Sequence, residues 1–168
     1  MESQEAKKII ETLLFVSCEP LSSKTLGQIL SVEPKMCQEL IQELIKEYEQ
    51  AEKGFHIKSL ANGYQMCTRL EFARWAKKLF GIPKRVKLSK KAMETLAIVA
   101  YKQPVTRAEI EAVRGVDSSG VITTLLAKSL IRISGRKEVI GRPILYSTTS
   151  EFLILFGLSS LNDLPELG

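Results

Sequence analysis

Tyr101-Lys102-Gln103-Pro104-Val105-Thr106-Arg107-Ala108-Glu109-Ile110-Glu111-Ala112-Val113-Arg114-Gly115-Val116-Asp117 reads as the end of one helix, a tight connection and a second helix marked at both ends. Thr106 is a favourable N-cap, and Glu109 three residues on completes a capping box. Val105 before the cap and Ile110 at the fourth helical position form a hydrophobic staple. Pro104 cannot continue the preceding helix and biases Gln103 out of the α region. Gly115 supplies the left-handed residue that closes the second helix. These local signals agree on a helix–turn–helix.

The pattern occurs twice. Pro20-Leu21-Ser22, with Leu26 and Ile29, matches Pro104-Val105-Thr106 with Ile110 and Val113 at the same offsets. Ahead of it, Lys7-Lys8-Ile9-Ile10-Glu11-Thr12-Leu13 matches Lys90-Lys91-Ala92-Met93-Glu94-Thr95-Leu96. Self-similarity of this kind points to two copies of one small helical domain.

Working outward, a helix is expected from Glu5 to about Ser17. Its apolar Ile9, Ile10, Leu13, Leu14, Phe15 and Val16 cover two adjoining stripes, wider than one surface helix needs. That suits a central core helix, or one with a stripe facing a second subunit. Ser22 caps a second helix ending near Leu30, and Pro34 opens a third that runs to about Lys53. Strands Phe55–Leu60 and Tyr64–Arg69 follow, with Asn62-Gly63 as the hairpin turn between them. Glu71 to Phe80 forms an amphipathic helix. The second copy repeats the order: a helix from Leu88-Ser89, the capped helix, a helix begun by Asp117 or Ser118, and short strands Ile131–Ile133 and Ile144–Tyr146. Between those strands Gly135 to Pro143 forms a wing. A last helix, Ser150 to Phe156, precedes an apolar tail with Leu161, Leu164 and Leu167. The expected fold is mainly α with small β wings (α+β), as two tandem winged-helix domains at 1–80 and 89–168 joined by a basic linker at 81–88.

Composition narrows the function. The net charge of +5 is concentrated between Glu71 and Lys91, while the flanking regions are near neutral. This is a basic joint rather than a basic protein. Lys84, Arg85 and Lys87 within it offer non-specific phosphate contacts or simply a solvated linker. A winged helix can place its third helix in the major groove. Here the first copy's third helix carries Glu39, Glu43, Glu47 and Glu49, and the second copy's Ser118 to Lys128 has no Arg, Asn or Gln to read base edges. Arg136, Lys137 and Arg142 on the wing are either exposed turn charges or anchors for an acidic or polar partner segment.

Catalytic and metal chemistry find no motif. His56 is the only histidine, and there is no Walker-type loop, nucleophile elbow or metal-ligand cluster. Cys18, Cys37 and Cys67 are odd in number and widely spaced, which argues against a disulfide framework or a zinc site. No cofactor is expected. No apolar run is long enough to span a bilayer and no signal-peptide pattern opens the chain, so a cytoplasmic protein is expected.

Glu94 through Ile110, then Arg114-Gly115-Val116-Asp117-Ser118-Ser119-Gly120-Val121, closely resembles the segregation and condensation protein B (ScpB) family. So do Gly135-Arg136-Lys137, Gly141-Arg142-Pro143, Tyr146, and the ending Glu151-Phe152-Leu153 with Phe156-Gly157-Leu158 and Asp163-Leu164-Pro165. The first copy matches more loosely, through Leu13-Leu14-Phe15 and Glu19-Pro20-Leu21-Ser22. The resemblance implies a non-enzymatic subunit of a condensin-like SMC–ScpA–ScpB complex, nucleoid-associated and supporting chromosome condensation and partition during cell division. It implies a homodimer formed through the first domain, which holds the kleisin ScpA, reaches the SMC ATPase heads through it and meets DNA indirectly or weakly. On this basis dimerisation is expected at Ile9, Ile10, Leu13 and Leu14. Kleisin contact is expected at Arg132, Arg136, Lys137, Arg142, Tyr146 and Phe152. The alternative reading is a winged-helix DNA-binding transcriptional regulator.

Overall fold

The computed structural model describes residues 2–81 and 87–166. The chain forms two compact units, Met1–Lys84 together with Gly157–Gly168, and Arg85–Phe156.

In the first unit, α1 (Ser3–Val16), α2 (Ser23–Leu30) and α3 (Pro34–Gln50) precede a hairpin of β1 (Phe55–Leu60) and β2 (Gly63–Thr68). Each boundary has a chemical cause. The Ser22 hydroxyl accepts from Thr25 N–H at 3.0 Å to open α2, and Pro34 opens α3, where its missing N–H costs nothing. The core gathers Ile10 and Leu14 from α1, Leu26 from α2, Ile41 and Leu44 from α3, and Ile57 and Tyr64 from the hairpin. Leu21 and Tyr64 exchange backbone hydrogen bonds of 2.9 and 2.8 Å, tying the residue ahead of α2 to the hairpin.

That tie relocates the expected turn. Ala61 and Asn62 hold the left-handed positions, at φ 49° and 59°, while Gly63 is already in β2. A Cβ on Gly63 would lie 2.9 Å from the carbonyl of Leu21. Gly63 therefore serves the close approach of two backbones, a demand that a short turn dipeptide conceals.

A short 3₁₀ turn, Leu70–Phe72, leads into α4 (Ala73–Phe80), and no residue of either is buried. The segment after Phe156 also belongs to this unit, not to the second domain as the 89–168 boundary has it. Leu158 and Ser159 carbonyls accept from Ala61 N–H at 3.0 Å and Asn62 N–H at 2.6 Å, closing the hairpin tip. The Asp163 carboxylate folds back onto Ser159 and Ser160 N–H, and these bonds depress its pKa. Residues 82–86, which include Lys84 and Arg85 of the expected phosphate contact, lie outside the described residues, as does Leu167.

In the second unit, α5 (Lys90–Lys102) is capped by Ser89, and β3 (Val105–Thr106) leads into α6 (Arg107–Arg114) and α7 (Ser119–Ala127). β4 (Ile131–Arg136), β5 (Ile144–Thr148) and α8 (Ser150–Phe156) complete it. The sheet order is β3-β5-β4, antiparallel throughout, with a bulge between Ile133 and Gly135. β3 is too short to stand out by alternation, and it exists because Val105 pairs with Tyr146. The capping box forms as expected, with Thr106 N–H donating to Glu109 Oε2 at 2.8 Å and Glu109 N–H to Thr106 Oγ1 at 3.3 Å. Gly115 closes α6 at φ 70°. Ser118 holds the position before α7, but its hydroxyl caps nothing. It accepts from Arg114 and donates to the Val116 carbonyl. Both units are winged helices: three helices followed by an antiparallel hairpin.

Candidate partner-binding surfaces

The third helix is where a winged helix would read DNA; in α3 the exposed Lys35, Gln38, Gln42 and Lys46 stand among glutamates, and α7 carries no Arg, Asn or Gln. In α7, Thr123 Oγ1 donates to Ser119 O at 3.0 Å and Thr124 Oγ1 to Gly120 O at 2.9 Å, so both hydroxyls are taken by the helix's own backbone. In α3, Glu43 and Glu47 meet Lys7 Nζ at 2.7 and 2.8 Å. Lys7 is itself buried, its ammonium pKa is raised by those carboxylates, and the pair of bonds fastens α1 to α3. Glu39 and Glu49 remain exposed on that helix and repel phosphate.

The expected dimer residues divide. Ile10 and Leu14 lie in the core of their own unit, so their surface is already used and is not offered to a second copy. Ile9 and Leu13 are half-buried against that core. The free apolar surface of α1 lies beyond them, at Phe15 (75% exposed) and Val16 (65%). Helical periodicity registers both stripes and does not say which one the rest of the unit covers.

The second unit's candidates divide the same way. Arg132, Arg136, Lys137 and Arg142 are exposed. Phe152 is buried and stacks against Phe156 at 4.9 Å, which makes it a core residue. Tyr146 is buried too, but it forms part of the floor of a cavity of about 360 Å³ between α6 and β5. Arg107, Ala108, Glu111, Arg136, Pro143 and Ile144 complete that cavity, an apolar bed with two guanidinium groups at its edge. The sequence reading missed Arg107 and Ile144. Arg107 lies far from the wing in sequence, and the β3–β5 pairing brings α6 beside it; Ile144 directly follows the wing and reads only as a strand residue.

The wing is braced at its base. Lys137 Nζ donates to Glu109 Oε1 at 2.6 Å, joining the wing to the capping box of α6. That ammonium, and then the Thr106 donors, pull the Glu109 pKa down to about 2. Arg136 Nη1 donates to the Arg142 carbonyl at 3.1 Å across the loop, and Arg142 itself sits at φ 38°. The loop therefore holds a defined shape, and Lys137 contributes to it as a brace.

His56 stands opposite Cys67 across the β1–β2 ladder, which sets a base beside a thiol. Burial lowers the imidazole pKa, helped by the Arg69 and Lys58 charges, and burial raises the Cys67 thiol. Both are held neutral, the reverse of an activated pair. Among the described residues no group of three or more His, Cys, Asp or Glu could hold a metal ion, and no helix is long and apolar enough to cross a membrane.

Residues 8–167 match the family model for the segregation and condensation complex subunit ScpB. Segregation and condensation protein B of Syntrophotalea carbinolica is 48% identical over 167 residues, covering 99% of this chain and 84% of that protein. The crystal structure of ScpB from Mycobacterium tuberculosis is 35% identical, covering 94% of this chain and 98% of that one, with a TM-score of 0.47. A crystal structure of a dimer of ScpB N-terminal domain complexed with ScpA peptide is 31% identical over 45% of this chain and 95% of that one, with a TM-score of 0.43. With a family match over nearly the whole sequence and a curated relative of this identity and coverage, the chain belongs to the ScpB family of segregation and condensation complex subunits.

Proposed function

We propose that this chain acts without catalysis as the ScpB subunit of a condensin-like SMC–ScpA–ScpB complex in the cytoplasm, at the nucleoid. As a homodimer it binds the kleisin ScpA and supports chromosome condensation and partition. It reaches the SMC ATPase and DNA through that kleisin. The observation that carries this reading is the family match across residues 8–167. The occupied hydroxyls of α7 and the glutamates of α3 accord with it, because a transcriptional regulator built on this scaffold needs free base-reading side chains.

Within the second unit the kleisin contact is placed on the wing and the adjoining cavity. Arg136 supplies charge at the cavity edge, Tyr146 and Ile144 the apolar bed, and Arg132 and Arg142 flank it. A segment pairing a carboxylate with an apolar side chain fits that surface. Tyr146 enters as a floor residue, and Phe152 is withdrawn because it is enclosed by its own unit.

The test is binding of purified ScpA by calorimetry, with Arg136→Glu and Arg142→Glu singly and together. A loss of at least about tenfold per reversal is expected for charges at an interface edge. Unchanged binding by the double variant removes the wing from the site, and no binding by the unaltered chain removes the kleisin reading.

A further inference from the structure

The tip of the β1–β2 hairpin is covered by a later stretch of the same unit, and the cover is made by polar contacts. Three successive carbonyls meet three donors of the tip. Lys58 Nζ donates to Gly157 O at 3.1 Å, Ala61 N–H to Leu158 O at 3.0 Å and Asn62 N–H to Ser159 O at 2.6 Å. Ser159 Oγ adds a bond of 3.4 Å to the Ser59 carbonyl. The stretch keeps its shape through Asp163, whose carboxylate accepts from Ser159 and Ser160 N–H at 2.7 and 3.0 Å. At its other end Gly157 turns at φ 69°, and a Cβ there would come within 3.2 Å of Lys58 Nζ. None of residues 157–166 is buried. A segment tied by exposed hydrogen bonds, with no buried apolar anchor, belongs to the part of a fold that opens most readily.

We infer that Gly157–Asp163 is an autoinhibitory strap over an oxyanion-binding site, formed by Lys58 Nζ with the Ala61 and Asn62 N–H groups. When the strap lifts, phosphate oxygens take the places of its carbonyls. Two observations point to an anion. The first is charge. Among the described residues Lys58 makes no ion pair, so its ammonium is answered only by a carbonyl dipole. Residues 58–63 carry no carboxylate, and Asp163 leaves with the strap. A phosphate oxygen would turn the lysine contact into a charge-assisted pair and strengthen both N–H bonds.

The second observation is the backbone. Ala61 and Asn62 hold successive left-handed conformations, at φ 49° and 59°, which a residue with a Cβ adopts at a cost. Successive N–H groups presented by such a turn form a concavity suited to an anion. Strap and anion compete for the same donors, so the apparent affinity is scaled down by the fraction of molecules in which the strap is lifted. None of these residues belongs to the surface assigned to the kleisin, and the site stands or falls apart from that reading.

Two variants of the full chain loosen opposite ends of the strap. Ser160→Ala/Asp163→Ala removes the bonds that shape it, and Gly157→Val strains its entry against Lys58. Isotope-labelled protein is followed by NMR at the Ala61 and Asn62 amides, first by hydrogen exchange. It is then titrated at low salt with inorganic phosphate and, separately, with a short DNA duplex. In the unaltered chain both amides are expected to exchange slowly and to shift little with either probe. Each variant should speed that exchange and lower the dissociation constant for phosphate at least about tenfold, in step with the lifted population. Adding Lys58→Ala to either variant should abolish the gain. A gain shared by the duplex, and falling as salt rises, assigns the tip to a nucleic-acid backbone; a gain with inorganic phosphate alone assigns it to a free oxyanion. Faster exchange without tighter phosphate binding overturns the site, as does a gain that survives Lys58→Ala. Amides that stay protected in both variants make the segment a fixed part of the hairpin and overturn the strap.

Discussion

The two winged helices place equivalent residues at equivalent points and hold them by different chemistry. Leu21 meets Tyr64 where Val105 meets Tyr146, and Ser22 caps α2 where Thr106 caps α6. Leu26 and Ile110 are fully buried at matching positions, while Ile29 and Val113 are both exposed. Where the first copy has Leu30 in its core, the second has Arg114. That arginine's side chain is 6% exposed, donates to Ser118 Oγ at 2.9 Å and lies 3.6 Å from Glu94. Ser118 N–H in turn donates to Glu111 at 3.1 Å. The repeat thus conserves geometry through apolar anchors, and the second copy replaces one anchor with a polar stitch between α6 and α7.

The equivalence is broken most severely at the shared anchors. Leu26→Ala and Ile110→Ala each remove a fully buried branched side chain and should each cost about 2–5 kcal/mol in chemical denaturation. A cost under about 1 kcal/mol at either position would mean that the matched offsets do not occupy matched packing. Next is the stitch. Arg114→Ala leaves the buried Ser118 hydroxyl without its donor and should cost about 2 kcal/mol. Arg114→Lys should restore little of it, because an ammonium cannot reproduce the guanidinium fork that spans Ser118 and Glu94. Full recovery by lysine would reduce the stitch to simple charge.

A smaller effect separates the helix ends that follow. Gly115 and Ser31 occupy the same left-handed position, at φ 70° and 56°. Ser31→Gly should therefore stabilise, and Gly115→Ala destabilise, each by about 1 kcal/mol. A destabilising Ser31→Gly, seen in the same denaturation series, would show that the serine side chain earns its place there.

The capped helix and its ends were legible from sequence because every signal for them lies within a few residues of its partner. Thr106 with Glu109, Val105 with Ile110, and Gly115 all act inside one turn or two. Long-range demands were not legible. Gly63 looks like turn chemistry but answers to the Leu21 backbone, forty-two positions earlier in the numbering. Ile10 and Leu14 look equivalent to Phe15 and Val16 until α3 and the hairpin choose a side. Tyr146 and Phe152 read as partner residues although each is drawn inward by pairing or stacking. The tail after Phe156 follows the second copy in sequence and packs on the first copy's hairpin tip. Arg114, the most informative polar residue of the second core, gives no sequence signal that separates it from the surface charges around it.

The least costly difference to test lies at the third position of the capped helices, where Glu109 stands in the second copy and Thr25 in the first. Glu109 has a folded pKa of about 2, below its ordinary 4.5, because Lys137 and the Thr106 donors favour the carboxylate. A depressed acid contributes stability that is complete above its unfolded pKa and is lost as pH falls toward its folded one. The contribution should therefore be intact at pH 6, decline from about pH 4.5 and be nearly gone by about pH 2. The Asp117 and Asp163 carboxyl pKa values are also lowered by their hydrogen bonds, so the difference between variants carries the information. The melting temperature of the unaltered chain minus that of Glu109→Gln should be positive at pH 6 and shrink toward zero on acidification. Lys137→Ala should reproduce part of that loss, since its ammonium does most to hold the Glu109 carboxyl low. Thr25→Ala, measured in parallel, should show a pH-independent difference, because the bond it removes, 2.8 Å between Thr25 Oγ1 and Ser22 Oγ, involves no titrating group. A Glu109 difference that stayed constant with pH would mean that the cap acts through geometry alone, and that the charge joining wing to helix is incidental to the second copy.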